Sequence, residues 1–371
     1  MWPPVCILVG ALLQTRQSLP TRVYAQAFLE RYGVTGSGTL SDRAHREEAV
    51  RSTGFGGVRL LIGWDHVERV RGVQDWGRTD SIFDELRRDS LESFGLLAYS
   101  PSWAVPAAIA RLPRSNSHRP SVGGSTARGD TLFAAFAAAA ARRYQGRVSR
   151  WEIWNEENHP YFWFNVVADS NKGPSAADYA SLFVLARDSI LAANPHAQVA
   201  VGGLASFGGR MRMVPDPVRA SARQPALPPH AFLRDMFMAG VHSDAVGIHP
   251  YSSLPPGTPY PGESTPIFPD QVIDSVAAVL DAFGRRSEPL WVTEWGVDAN
   301  AKIDQTTLNA WFRDALTLML CNRRIAFVTV HALTDPDPET HFGLLAGDGS
   351  PARDGLAFRE FLNRWSGCSP R

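Results

Sequence analysis

The chain has little sulfur chemistry to offer. Its 371 residues hold only three cysteines, Cys6, Cys321 and Cys368. None is part of a Cys-x-x-Cys pair, so they suggest neither a zinc site nor a redox dithiol. Cys321 precedes one expected strand and Cys368 lies near the C-terminus. Reduced thiols are the expectation for both, with a bridge between them left open in an oxidising compartment. Histidine clusters are missing too: no His-x-His or His-Glu-x-x-His occurs, so nothing favours a metal-dependent hydrolase. His331, Asp335 and His341 are therefore read as ligand contacts or loop closures, and no metal is expected. Net charge is absent, with 37 basic and 37 acidic residues. Such a chain offers no overall field for nucleic acid or an anionic membrane. No apolar run is long enough to span a bilayer. Linkers and internal repeats are lacking as well, and only an alanine-rich stretch is low in complexity.

What is present is core and tryptophan. Hydrophobic residues make up 44% of the chain, which suits one large α/β barrel better than two linked domains. Eleven Trp need either a core or a flat ligand to cover, and sugar rings present flat apolar faces. At the N-terminus, Val5 to Leu13 is an apolar run of signal-peptide length and Ala25-Gln26-Ala27 has the small-x-small form of a cleavage site. No basic residue precedes the run and the spacer is long. Residues 1–27 are read as a leader-like segment, 28–371 as one catalytic domain, and the location as secreted or cell-envelope, otherwise cytoplasmic.

Short runs rich in Val, Ile, Leu and aromatics predict strands at Tyr32–Gly36, Gly57–Trp64, Gly95–Ser100, Ser149–Asn155, Ala197–Gly203, Asp244–Pro250, Pro289–Trp295 and Ile325–His331. Helical stretches alternate with them: Ser41–Thr53, Thr79–Ser93, Asp130–Tyr144, Ser175–Asn194, Pro229–Gly240, Pro269–Gly284, Asp304–Asn322 and Arg353–Trp365. Regular βα alternation with right-handed crossovers closes into a single (β/α)8 TIM barrel. The Gly/Pro-rich segments Arg111–Gly129, Phe207–Pro228 and Ser252–Pro269 each follow a strand, which makes them long βα loops on the catalytic face.

Two glutamates end strand-like runs: Glu156 in Trp151-Glu152-Ile153-Trp154-Asn155-Glu156-Glu157-Asn158, and Glu294 in Trp291-Val292-Thr293-Glu294-Trp295-Gly296. Cleaving a glycosidic bond needs one carboxylic acid to protonate the leaving oxygen and one carboxylate across the sugar. Two acids on the fourth and seventh strands of one barrel can supply both roles. A surface or ion-paired acid is the ordinary reading of either one alone. Glu152, inside its strand, is expected to pair with an arginine, and Glu157 is kept as a lesser candidate for the acid.

These segments resemble the acid/base and nucleophile motifs of the clan A glycoside hydrolases, and most of all family 39, which includes β-xylosidases, α-L-iduronidases and bacterial exopolysaccharide hydrolases. The likeness runs from about Tyr32 to the C-terminus, with Val58-Arg59-Leu60, Tyr99-Ser100-Pro101-Ser102-Trp103 and His249-Pro250-Tyr251 as further matches. Glu157 stands where that family usually has proline, and His331 where strand eight often offers Trp. The resemblance implies Glu156 as acid/base and Glu294 as nucleophile of a retaining mechanism. It also places Arg59 beneath the nucleophile, Asn155 on the sugar 2-hydroxyl, and His249 and Tyr251 beside the nucleophile. Trp64, Trp103, Trp163 and Trp295 are candidate sugar-stacking rings, with Trp295 favoured for the glycone and Tyr161-Phe162-Trp163-Phe164 for an aglycone wall. No cofactor is required, because carboxylates handle both charge shifts. A catalytically inactive carbohydrate-binding barrel is the alternative; it would keep the aromatics but need not keep both glutamates.

Overall fold

The computed structural model describes residues 23–27, 56–88, 90–105, 127–160, 162–163, 174–206, 212–215, 223–251, 269–298, 303–333, 341–346 and 350–368. Seven expected strands are in place and parallel: β2 (Gly57–Gly63), β3 (Glu92–Ala98), β4 (Arg150–Asn155), β5 (Gln198–Ala205), β8 (Ala245–His249), β9 (Leu290–Trp295) and β10 (Ile325–Val330). The remaining position in the sheet is taken by β1 (Val23–Ala27). Tyr32–Gly36, the expected first strand, lies outside the described residues. β1 pairs parallel to β10 and β2, with Val23 opposite Val328 and Ala25 opposite Val58, which closes the ring β1-β10-β9-β8-β5-β4-β3-β2. The Ala25-Gln26-Ala27 segment, expected as the end of a leader-like stretch, is therefore sheet.

Helices alternate with these strands: α1 (Gly77–Arg88), α2 (Ala127–Arg143), α3 (Ala176–Ala193), α4 (Pro229–Met238), α5 (Pro269–Ala282), α6 (Gln305–Leu320) and α7 (Arg353–Arg364). The helix expected at Ser41–Thr53 lies outside the described residues. Local chemistry sets their ends. The Ser175 side chain accepts the Asp178 N–H at 3.2 Å to start α3, and Asp304 accepts the Thr307 N–H at 2.9 Å to start α6. α1 buries Ile82, Phe83 and Leu86 and keeps Arg87 and Arg88 in its last turn, where cations suit the exposed carbonyls. Between β5 and α4, the expected loop contains an antiparallel pair, β6 (Arg212–Pro215) with β7 (Arg223–Ala226).

The inside of the sheet is layered. Phe94, Ala200, Ala245, Trp291 and Phe327 form an apolar plug in the lower part of the barrel. The register sets Arg59 beside Phe94 and Glu152 beside Ala200, so both charged residues share the inward face. Gly202, Gly247, Thr293 and Thr329 lie two residues further along their strands than members of the plug. A small and polar layer thus carries the site, above an apolar floor.

Cys321 and Cys368 form a disulfide, with their Cα atoms 5.5 Å apart, where reduced thiols were expected. Cys321 caps α6 and Cys368 follows α7, and these two helices pack side by side, a proximity that no sequence spacing announces. Among the described residues no helix is long and apolar enough to cross a membrane.

Candidate active site

Glu156 and Glu294 meet at the C-terminal ends of β4 and β9, the fourth and seventh strands around the barrel. Catalytic groups of such barrels collect at this face. One oxygen of each carboxylate, together with Nδ1 of His249, lies within 4.8 Å of the other two. The Glu156 and Glu294 side chains keep 16% and 12% of their surface exposed. These three donors would also suit a cation by spacing, but Arg59 holds a fixed positive charge 2.5 Å from Glu294 and opposes one there.

Arg59 organises the floor. Its guanidinium gives Nε to Glu152 at 2.7 Å, Nη1 to Glu294 at 2.5 Å and Nη2 to Asn155 Oδ1 at 3.0 Å. Glu152 is therefore the structural partner expected of it, and Asn155 is fixed with its carbonyl turned to Arg59. Burial works against the arginine's charge, but Glu152 and Glu294 hold it more firmly protonated than in a free side chain. A planar fork can satisfy three partners at once, which an ammonium cannot do with the same rigidity.

The two acids are held in opposite states. Burial pushes the Glu294 carboxyl up, but the positive field of His249, His331 and Arg59 outweighs it and holds the group well below the usual carboxylate range. Tyr251 adds a hydrogen bond from its hydroxyl to Glu294 Oε2 at 3.1 Å, and His331 Nδ1 stands 3.7 Å from the same oxygen. Burial first, then the charges of Glu294 and Glu156, push the Tyr251 phenol well above its ordinary value, so it remains a donor. Glu156 goes the other way: burial raises its carboxyl, Glu294 adds to the rise, and His249 and Arg59 pull against it. His249 Nδ1 lies 2.9 Å from Glu156 Oε1 and 3.7 Å from Glu294 Oε2. It is buried, and by these distances it sits nearer to Glu156 than to Glu294. The ring fits because the neighbour is Gly203, where a Cβ would stand 1.9 Å from Nε2.

The backbone around Glu156 is strained. Trp154 and Glu156 have φ of 71° and 51°, a left-handed conformation that side chains seldom adopt. Each such residue costs about 1–3 kcal/mol and persists only where its surroundings enforce it. Here the Trp154 ring is enclosed by Tyr99, Phe133 and Trp163, and the Glu156 N–H is given to Gly203 O at 3.0 Å. The strand thus turns its last carboxylate toward Glu294.

The tryptophans divide differently from expectation. Trp295 is fully buried on Phe312, and Trp64 is buried among Trp103, Phe133 and Phe136. Both build the wall from behind, without a face free for sugar. Trp163 is likewise core, packed on Trp154 and Tyr179. Trp103 stays partly exposed at the rim, its Nε1 tied to Glu68 O at 2.7 Å and its ring near Arg71. Tyr161, Phe164 and Asp335 lie outside the described residues. His341 pairs with Asp298 at 3.2 Å on the surface. Sequence reasoning missed Tyr99, a buried phenol with φ of 66° in the field of Glu294 and Arg59, although its Tyr-Ser-Pro-Ser-Trp segment was among the matching stretches. It also missed Glu68, which accepts the Trp64 Nε1–H at 3.0 Å and the Gly72 N–H at 2.7 Å to shape the turn after β2.

No protein-family model and no curated protein matches the chain. Solved structures do. A family 39 glycoside hydrolase from the gut symbiont Bacteroides cellulosilyticus WH2 superposes with a TM-score of 0.66 at 20% identity, over 93% of this chain and 64% of that one. A monomeric beta-xylosidase from Caulobacter crescentus CB15 gives a TM-score of 0.61 at 18% identity, over 93% of this chain and 68% of that one. The fold is shared with family 39 and other clan A glycoside hydrolases. Native xylanase 10B from Thermotoga maritima matches more distantly, with a TM-score of 0.56 at 14% identity, but end to end, over 94% of this chain and 96% of that one. The chain thus spans less than two thirds of the first of these relatives and nearly all of the xylanase. In that shared fold, the ends of the fourth and seventh strands are where this chain sets its two carboxylates.

Proposed function

We propose that this chain is a retaining glycoside hydrolase built on a complete (β/α)8 barrel, cleaving O-glycosidic bonds, β-linked ones, in oligo- or polysaccharides. The observation that carries the reading is the carboxylate pair: two acids within 4.8 Å at their nearest donor atoms, one held ionised and one pushed toward its protonated form. A separation of about 5–5.5 Å suits direct attack on the sugar, whereas inverting enzymes leave about 6.5–9.5 Å for a water. Glu294, ionised by Arg59 and its histidine neighbours, attacks the anomeric carbon while Glu156 gives its proton to the leaving oxygen. Glu156 then draws a proton from water, which hydrolyses the glycosyl-enzyme and returns both acids to their first state. His249 occupies Glu156 Oε1, which leaves Oε2 to meet the leaving group. Both half-reactions move protons and electron pairs between carboxylates, sugar and water. The Cys321–Cys368 bridge supports folding in an oxidising compartment, as in an exported protein.

The test is turnover of a panel of aryl β-glycosides beside intact polysaccharides, with Glu294→Gln as control. Wild-type hydrolysis is expected, and the variant should lose nearly all of it because no leaving group replaces the missing covalent partner. Comparable turnover by both proteins would remove Glu294 from the site; binding of sugars without turnover by either would point to an inactive barrel.

A further inference from the structure

Glu157, which follows the acid/base, has a role that the double-displacement chemistry does not use. Its side chain is completely buried, and neither carboxyl oxygen has a partner in good bonding geometry, although its own backbone N–H and the Tyr179 hydroxyl lie near and favour the charged form. Acceptors surround it as well. A methyl group on Gly202 would stand 2.3 Å from Glu157 Oε2 and 2.7 Å from each of the carbonyl oxygens of Ile153 and Trp154, so the carboxyl and two backbone acceptors crowd around one small volume. The Tyr179 hydroxyl bridges the same gap between β4 and β5, donating to Ile153 O at 2.6 Å and accepting the Gly202 N–H at 3.0 Å, so its proton is already committed. The charged groups facing this volume are Glu152 and Glu156, both acidic. Arg59 is bound to Glu152, Glu294 and Asn155.

An ionised carboxylate here would have only its own N–H and a Tyr179 hydroxyl already given to Ile153 O to accept from, against burial and two neighbouring acids, while a protonated one has an O–H to give to the carbonyls beside it. On the reading that Glu156 is the acid/base, we propose that Glu157 is a positioning residue: a neutral carboxylic acid whose O–H bonds a backbone carbonyl at the end of β4 and so holds Glu156 in its left-handed conformation. Burial, joined by the fields of Glu152 and Glu156, keeps the group well above the usual carboxylate range, in agreement with that geometry. Gly202 is part of the device, since any side chain there would fill the space that the carboxyl occupies.

Three variants test this. Glu157→Gln keeps the volume and a donor, and should retain kcat/KM to within roughly threefold. Glu157→Ala, or the more space-filling Glu157→Leu where alanine does not fold, removes the donor. Either should lose roughly tenfold or more on glycosides with poor leaving groups and little on activated aryl glycosides, because only the first group needs a well-placed acid. A purely structural role would lower both alike, and that result, or a glutamine variant as impaired as the apolar ones, overturns the proposal. Two readings need no turnover and so separate failure here from failure of the glycosidase reading. The infrared difference between wild type and Glu157→Gln at neutral pH should show the carbonyl stretch of a protonated acid; loss of carboxylate bands instead overturns it. Amide exchange at Glu156, whose N–H is held by Gly203 O, should accelerate in the apolar variants and not in Glu157→Gln; unchanged exchange in the apolar variants overturns it.

Discussion

Replacing Arg59 with alanine removes a group that touches Glu294, Asn155 and the buried Glu152 together. Arg59 and Glu152 both have fully buried side chains, 2.7 Å apart. Breaking such a pair from one side leaves an uncompensated charge and costs about 3–5 kcal/mol, far more than the loss of an exposed ion pair. The expected fall in unfolding free energy at neutral pH is therefore about 3–5 kcal/mol. Its pH dependence has a definite sign. Glu294 in the folded protein is held below its ordinary value of 4.5, so its stabilisation is complete above that value and fades as pH falls through the folded range. Arg59→Ala lets the folded value rise and loses that contribution. The gap between wild type and variant should be widest at about pH 7 and narrower at about pH 4. Urea unfolding followed by tryptophan fluorescence at both pH values measures it. The acid limb of kcat/KM should move upward in the same variant, since Glu294 must be ionised to attack. A loss under about 1 kcal/mol, the size of a surface pair, or a gap that does not change with pH, would refute the reasoning.

Tyr251→Phe removes only the hydroxyl that reaches Glu294 Oε2 at 3.1 Å. A hydrogen bond to a charged group is worth about 1.5–3 kcal/mol, so the unfolding free energy should fall by up to that amount and kcat/KM should fall as Glu294 loses a group that orients it. The disulfide closes a separation of 47 residues that spans β10 and α7. The chain-entropy treatment assigns such a loop about 4 kcal/mol, so the Cys321→Ser, Cys368→Ser double variant should unfold at lower denaturant by up to that amount. Its kcat/KM should hold, because Cys321 precedes β10 on the side opposite the catalytic face.

The parts of the site legible in the sequence were those carried by strand ends. Glu156, Glu294, Arg59 and Asn155 sit in short apolar runs whose order along the chain sets their place around the ring, and the structure brings all four together. The first strand was not legible, because Val23-Tyr24-Ala25-Gln26-Ala27 is short, rich in small residues and follows an apolar run, so it reads as the end of a leader. Trp295 adjoins Glu294 in sequence, yet its ring turns outward onto Phe312 of α6. Adjacent residues on a strand point to opposite faces, and this alternation separates Trp295 from Glu294. His249 was expected beside the nucleophile; its link to Glu156 depends on Gly203 from β5, a contact between strands that no single motif contains. Glu157 was kept as a lesser candidate for the acid because its burial depends on Gly202 and on the turn of the backbone at Trp154 and Glu156, which its own segment does not announce.

The most direct measurement of the central claim is chemical rescue of Glu156→Ala with azide. An activated aryl β-glycoside departs without acid help, so the variant should form the glycosyl-enzyme on Glu294 and then stall, lacking a base to activate water. Azide needs no deprotonation. It should raise turnover and give a β-glycosyl azide, the product of two inversions at one carbon, whereas Glu157→Ala and Glu152→Ala should show no rescue. An azide product of inverted configuration, rescue at Glu157 in place of Glu156, or none in any variant would contradict the pairing of Glu156 as acid/base with Glu294 as nucleophile.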